Sequence, residues 1–134
     1  MNYLLDTHYI LWALFTPELI HNAIVDILED ENSTKYVSGI SLWEISLKYS
    51  IGKLELEETN PDEIFDEIPK AGFELLEVDN QLFSSYYRLP KKGDHRDPFD
   101  RMLIWQALHY EYTFISADKK VKSYIEDGLK LLSP

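Results

Sequence analysis

The feature that most constrains this chain is an alternation running along its whole length, in which short apolar runs give way to segments whose apolar positions recur at three and four. Tyr3, Leu4 and Leu5 form the first run and end at Asp6, and the stretch from Tyr9 to Phe15 reads as a helix. Thr16 before Pro17 and Glu18 has helix-start grammar, with Leu19, Ala23 and Ile27 as the buried stripe. Lys35 to Ser38 reads as a second strand, and Ser41 with Glu44 fits a capping box opening a helix that Gly52 ends. Asn60, Pro61 and Glu63 repeat that grammar for a helix reaching Gly72. Phe73 to Val78 is a third strand, Asp79 opens a short helix through Tyr86, and Pro90 with Gly93 marks the longest polar loop. Asp97 and Pro98 start a helix with Leu103, Ile104, Ala107 and Leu108 on its buried face. Tyr112 to Ser116 is a fourth strand, Asp118 to Ile125 a final helix and Leu129 to Leu132 a fifth strand. Strands separated by helices pair in parallel through crossovers, which predicts an α/β architecture with a sheet covered on both faces.

At 134 residues a single domain over 1–134 is expected, and a 45% hydrophobic fraction suffices for one ordered core. The absence of cysteine excludes disulfides and thiolate metal sites. No run approaches the roughly 18 apolar residues of a membrane span, and no basic stretch precedes an apolar one at the amino terminus, so a cytoplasmic protein that does not engage membranes is the expectation. The net charge of −11 argues, at face value, against a nucleic-acid partner.

Several acids stand where chemistry is plausible. Asp6 and Asp118 each follow a predicted strand, and ligands of open α/β sheets bind beyond the carboxyl ends of the strands. Asp118 serves equally well as the N-cap of the next helix. Glu44 has a capping-box role available, yet Leu42, Trp43, Ile45 and Leu47 surround it with apolar groups. Asp97 suits an N-cap, whereas Asp100 shares a helix face with Leu103, Ile104 and Ala107, where a carboxylate is costly unless a cation, donor or water meets it. His8 fits a satisfied, half-buried histidine or a substrate contact. If these acids converge, oxygen ligands alone suit Mg²⁺ or Mn²⁺, and the reaction best served is phosphodiester hydrolysis.

The ordered segments Asp6-Thr7-His8, Ser41-Leu42-Trp43-Glu44-Ile45, His95-Arg96-Asp97-Pro98-Phe99-Asp100-Arg101 and Ser116-Ala117-Asp118 resemble a PIN-domain ribonuclease of the VapC toxin type over nearly the whole chain. The resemblance implies a three-layer α/β/α sandwich with a mainly parallel sheet of four to five strands, Mg²⁺- or Mn²⁺-dependent cleavage of RNA, and inhibition by a cognate antitoxin. It places Asp6, Glu44, Asp100 and Asp118 as the family's four catalytic, metal-holding acids. Thr7 and Ser116 match small hydroxyl positions beside the first and fourth acids, and Asp97 supports the site by sharing the metal or orienting a water. Arg96, Arg101, Lys48 and Lys119 are candidates to steer or clamp the RNA backbone. Trp105 stands where the family commonly has a small residue, in a core role or a dimer contact. A homodimer is expected.

Two other α/β proteins fit poorly: a haloacid-dehalogenase-like phosphatase needs an Asp where His8 stands, and a signalling receiver domain needs an acid adjacent to Asp6. The alternative left standing is a catalytically inert protein of the same fold that binds antitoxin or RNA without cutting it. The charge itself is uneven. Residues from Glu55 to Asp79 carry ten acids against one base, Lys70, so the rest of the chain is close to balanced and RNA is expected to approach away from that segment.

Overall fold

The computed structural model describes residues 1–134. Its centre is β1 (Asn2–Leu5), whose Leu4 and Leu5 are fully buried, as a continuous apolar run requires in the middle of a sheet covered on both faces. α1 (Thr7–Phe15) follows directly, and α2 (Asn22–Glu29) leads to β2 (Thr34–Ser38) and α3 (Gly39–Ser50). α4 (Pro61–Lys70), β3 (Glu74–Leu76) and α5 (Asn80–Ser85) come next. α6 (Pro98–Tyr110) then precedes β4 (Thr113–Ile115), a 3₁₀ helix over Lys119–Asp127 and β5 (Lys130–Leu132). The five strands form one sheet in the order β3-β2-β1-β4-β5, every pair parallel.

Alternation along the strands divides the interior between the two faces. Tyr3, Leu5, Val37 and Ile115 enter one core with Ile10 of α1, Ile24 of α2 and Ile64 and Ile68 of α4. Leu4 and Phe114 enter the other with Leu103, Ile104 and Ala107 of α6 and Tyr124 of the 3₁₀ helix. Trp105 is half-buried against this second core, its indole N–H donating to Ser85 Oγ at 3.2 Å. No helix is long and apolar enough to cross a membrane.

Four local expectations are corrected. Thr16 makes no side-chain cap, and Pro17–Leu19 is a single 3₁₀ turn that leaves Leu19 exposed. The turn stops because Ile20 is extended and buried, and α2 restarts with His21 Nδ1 accepting from Ala23 N at 3.1 Å. α3 begins straight off β2, capped by Ser38, whose Oγ accepts from Ile40 N at 3.0 Å, so Ser41 and Glu44 lie inside the helix and form no capping box. The final helix is 3₁₀. His8 is exposed, its ring tilted against Trp12.

Candidate active site

The strand order reverses at β1, with β2 on one side and β4 on the other, and the crevice beyond the carboxyl ends of β1 and β4 is the switch point of the sheet. Parallel register sets Leu5 beside Ile115, and Asp6 N donates to Ile115 O at 3.0 Å. Asp6 and Ser116 therefore leave adjacent strands together. Ser116 Oγ donates to Asp6 Oδ2 at 2.7 Å and accepts from Asp118 N at 3.1 Å, while Asp6 Oδ1 caps α1 by accepting from Tyr9 N at 3.2 Å. Asp118 combines both readings the sequence allowed, capping the 3₁₀ helix through Lys120 N at 2.9 Å while facing the crevice.

The early start of α3 points Glu44 inward, where it is buried. Thr7 Oγ1 donates to Glu44 Oε1 at 2.7 Å and lies 2.9 Å from Ser41 Oγ, and Lys48 donates to the other carboxylate oxygen. Asp97 caps α6, its Oδ1 accepting from Phe99 N at 2.9 Å and Asp100 N at 3.1 Å. Asp100 sits in the first turn of α6 with no protein donor within hydrogen-bond distance of its carboxylate.

The acids share one electrostatic environment. Burial, reinforced by Asp97, Glu44, Asp6 and Asp118, pushes the Asp100 carboxyl up to about 7. Burial also raises Asp6, against the opposing hydrogen bonds from Ser116 and Tyr9. For Lys48, burial pulls the ammonium down, but the hydrogen bond and charge of Glu44, with Asp97 and Asp100 beyond, carry it above its ordinary value. A hard divalent cation suits this site: the carboxylates supply oxygen donors, Asp100 is unpaired, and a positive charge relieves the repulsion that raises it.

One residue without an assigned role in the sequence belongs here. His95 is buried in the loop before α6, with its Nε2 3.9 Å from Asp100 Oδ2, and His95, Asp100 and Asp118 present ligand atoms all within 4.8 Å of one another. Its Nε2 has no hydrogen-bond partner, while Nδ1 lies 2.7 Å from the Tyr124 hydroxyl. Burial lowers the imidazole below its usual value, against the opposing charge of Asp118. His95 opens the segment His95–Arg101 that carries the resemblance, but the segment does not indicate its role, because its partner Tyr124 is 29 residues away.

The basic candidates divide. Arg96 and Lys119 are exposed, and Arg96 lines a cleft of about 580 Å³ with Tyr86, Tyr87, Lys91 and Lys92. Lys48 is held by Glu44. Arg101 is a correction: it is buried, and its guanidinium donates to the Tyr86 hydroxyl at 2.9 Å, Pro90 O at 3.0 Å, Leu89 O at 3.1 Å and the Tyr124 hydroxyl at 2.7 Å. Those bonds take four of its five N–H donors and commit it chiefly to holding the loop against α6, at the wall of the cleft that Arg96 also lines.

Acids gathered from the carboxyl ends of two central parallel strands, from α3 and from the start of α6 define a carboxylate-lined α/β site. The chain belongs to the PIN-domain family, whose profile matches residues 3–126. Its fold is similar to VapBC2 from Rickettsia felis bound to a DNA fragment from its promoter, at 20% identity and TM-score 0.74, covering 99% of this chain and 98% of that one. VapBC-1 from nontypeable Haemophilus influenzae is similar at 22% identity and TM-score 0.68, covering 99% and 98%. DNA-bound VapBC from Salmonella typhimurium is similar at 18% identity and TM-score 0.65, with the same coverage of 99% and 98%. No curated protein matches the sequence significantly.

Proposed function

We propose that this PIN-domain chain is a divalent-metal-dependent endoribonuclease of the VapC type, the toxin of a toxin–antitoxin pair. The observation that carries the reading is the meeting of Asp6, Glu44, Asp100 and Asp118 around one crevice, with the Asp100 carboxyl at about 7. VapBC complexes among the fold neighbours support the toxin assignment and a cognate antitoxin as partner. The homodimer remains part of the proposal on the ground that twofold association is the commonest assembly.

Asp6, Asp100 and Asp118 would hold Mg²⁺ or Mn²⁺, with Glu44 completing the set and Asp97 supporting it through α6. When bound, the cation supplies an activated water and offsets charge on the phosphate oxygens. Ser116 fixes one oxygen of Asp6, and Thr7 fixes one oxygen of Glu44. These hydroxyls hold the carboxylates in one orientation, which limits reorganisation during the reaction. Lys48 balances the charge of Glu44. Exposed Arg96 and Lys119 attract the RNA backbone, and the cleft beside Arg96 adds the Tyr86 and Tyr87 rings, on which unpaired bases can stack.

The test is cleavage of RNA with Mg²⁺ or Mn²⁺, with and without chelator, by the wild type and Asp6→Asn. Cleavage by the metal-supplied wild type alone supports the reading. Equal cleavage by Asp6→Asn, or by the wild type in chelator, overturns it.

A further inference from the structure

The buried chain Arg101–Tyr124–His95 decides which nitrogen of His95 carries a proton. Arg101 has only donors, so at 2.7 Å its Nη1 donates and the Tyr124 oxygen accepts. The Tyr124 hydroxyl is fully buried, and its hydrogen has one acceptor in reach, His95 Nδ1 at 2.7 Å. If Nδ1 instead carried the proton, the phenolic oxygen would accept from both neighbours and its hydrogen would be stranded in the interior without an acceptor. The imidazole is therefore protonated on Nε2, the atom that faces Asp100 without a hydrogen-bond partner. The residue is fixed in two further ways: its backbone N–H donates to Lys92 O at 2.9 Å, and its ring packs edge-on against the Tyr124 ring.

We propose that His95 is a positioning residue of the carboxylate site, whose Nε2–H holds Asp100 through Oδ2 and presents its other oxygen to the cation. The inference rests on the reading of the acids as a cation site. The 3.9 Å separation closes by a small rotation of the Asp100 side chain, which has no other protein donor to release. Hydrogen bonds of this kind are commonly long in unliganded sites and tighten on binding. The relay also gives buried Arg101 a part in the site: it orders Tyr124, Tyr124 sets the tautomer, and the tautomer makes His95 a donor to a carboxylate rather than a ligand.

Calorimetric titration of the full chain with Mn²⁺ tests this, using the wild type, His95→Asn and His95→Gln. The Asn side chain keeps an acceptor for Tyr124 near the Nδ1 position and removes the donor facing Asp100. The longer Gln side chain brings an amide N–H near the Nε2 position. The expected result is Mn²⁺ affinity about 10–100-fold weaker in His95→Asn, the usual scale for losing an outer-shell partner, and largely restored in His95→Gln. Thermal melts check that both variants fold. Wild-type affinity in a folded His95→Asn overturns the proposal. No Mn²⁺ binding by the wild type itself removes the cation-site reading beneath it, a distinguishable failure. A histidine nitrogen bonded directly to Mn²⁺ in the electron-spin-echo spectrum overturns it by making His95 a ligand. Nitrogen-15 spectra of the wild-type imidazole test the tautomer without a variant, since protonated Nε2 supports the relay and protonated Nδ1 contradicts it.

Discussion

Two regions of this molecule are acidic, and they are built in opposite ways. From Glu55 to Asp79 ten carboxylates lie exposed on α4, on β3 and on the loops around them, while the apolar underside of α4 packs through Ile64 and Ile68. At the switch point of the sheet a few carboxylates are drawn inward, each oriented by a cap, a hydroxyl or a lysine, apart from Asp100. Water disperses charge at the first region; at the second, burial and crowding concentrate it until the Asp100 carboxyl reaches about 7. The net charge of −11 describes the first region and says little about the second.

The largest effect that separates the regions is on activity. Asp100→Asn should lower RNA cleavage by about 10³-fold in a single-turnover assay, the upper scale for removing one group that stabilises transition-state charge. Glu63→Gln and Glu67→Gln in the exposed segment should each leave the rate within about twofold. A large loss from either exposed substitution breaks the distinction. On stability the order reverses: Ile68→Ala beneath the acidic helix should cost about 2–5 kcal/mol in urea unfolding, because it leaves a cavity in a fully buried position.

A third contrast concerns pH. Asp100 is raised from 3.8 to about 7, so its contribution to stability is fully present below about pH 4 and is lost as pH rises through 7. Asp100→Asn should therefore be more stable than the metal-free wild type at pH 8, by about 2 kcal/mol after discounting for solvent screening, with the difference vanishing near pH 4. Urea unfolding of both proteins across that range reads the sign directly. Mn²⁺ binding at pH 6 should release protons, measurable in buffers of different ionisation enthalpy. The smallest effect belongs to the rim. Arg96→Ala should lower the slope of log affinity for single-stranded RNA against log salt by about 0.7, the value for one lost phosphate contact.

Much of this arrangement was legible in the chain, and the parts that were not share a cause. Asp6 and Asp118 could be found because an acid at the end of a strand in an α/β alternation points to the crevice, and Asp100 because it interrupts an otherwise buried helical face. Glu44 was found for its apolar surroundings, but its capping role was misread: Ser38, at the end of β2, caps α3 before Ser41 can. That shift turns Glu44 toward Thr7, 37 residues away in sequence. Arg101 reads as a free cation in the sequence because Tyr86, Leu89, Pro90 and Tyr124, which take four of its five N–H donors, come together only in the folded chain. The role of His95 is hidden for the same reason, since Tyr124 meets it only in the fold. Local grammar reports caps and periodicity; it does not report which distant hydroxyl completes a buried donor.

The acids at the switch point of the sheet, and not the numerous exposed ones, form the proposed cation site. Anomalous scattering from crystals soaked in Mn²⁺ tests it most directly. A peak bounded by Asp6, Asp100 and Asp118, absent from Asp100→Asn crystals, is the predicted result. Mn²⁺ found only along Glu55 to Asp79, or an unchanged peak in the variant, would contradict it.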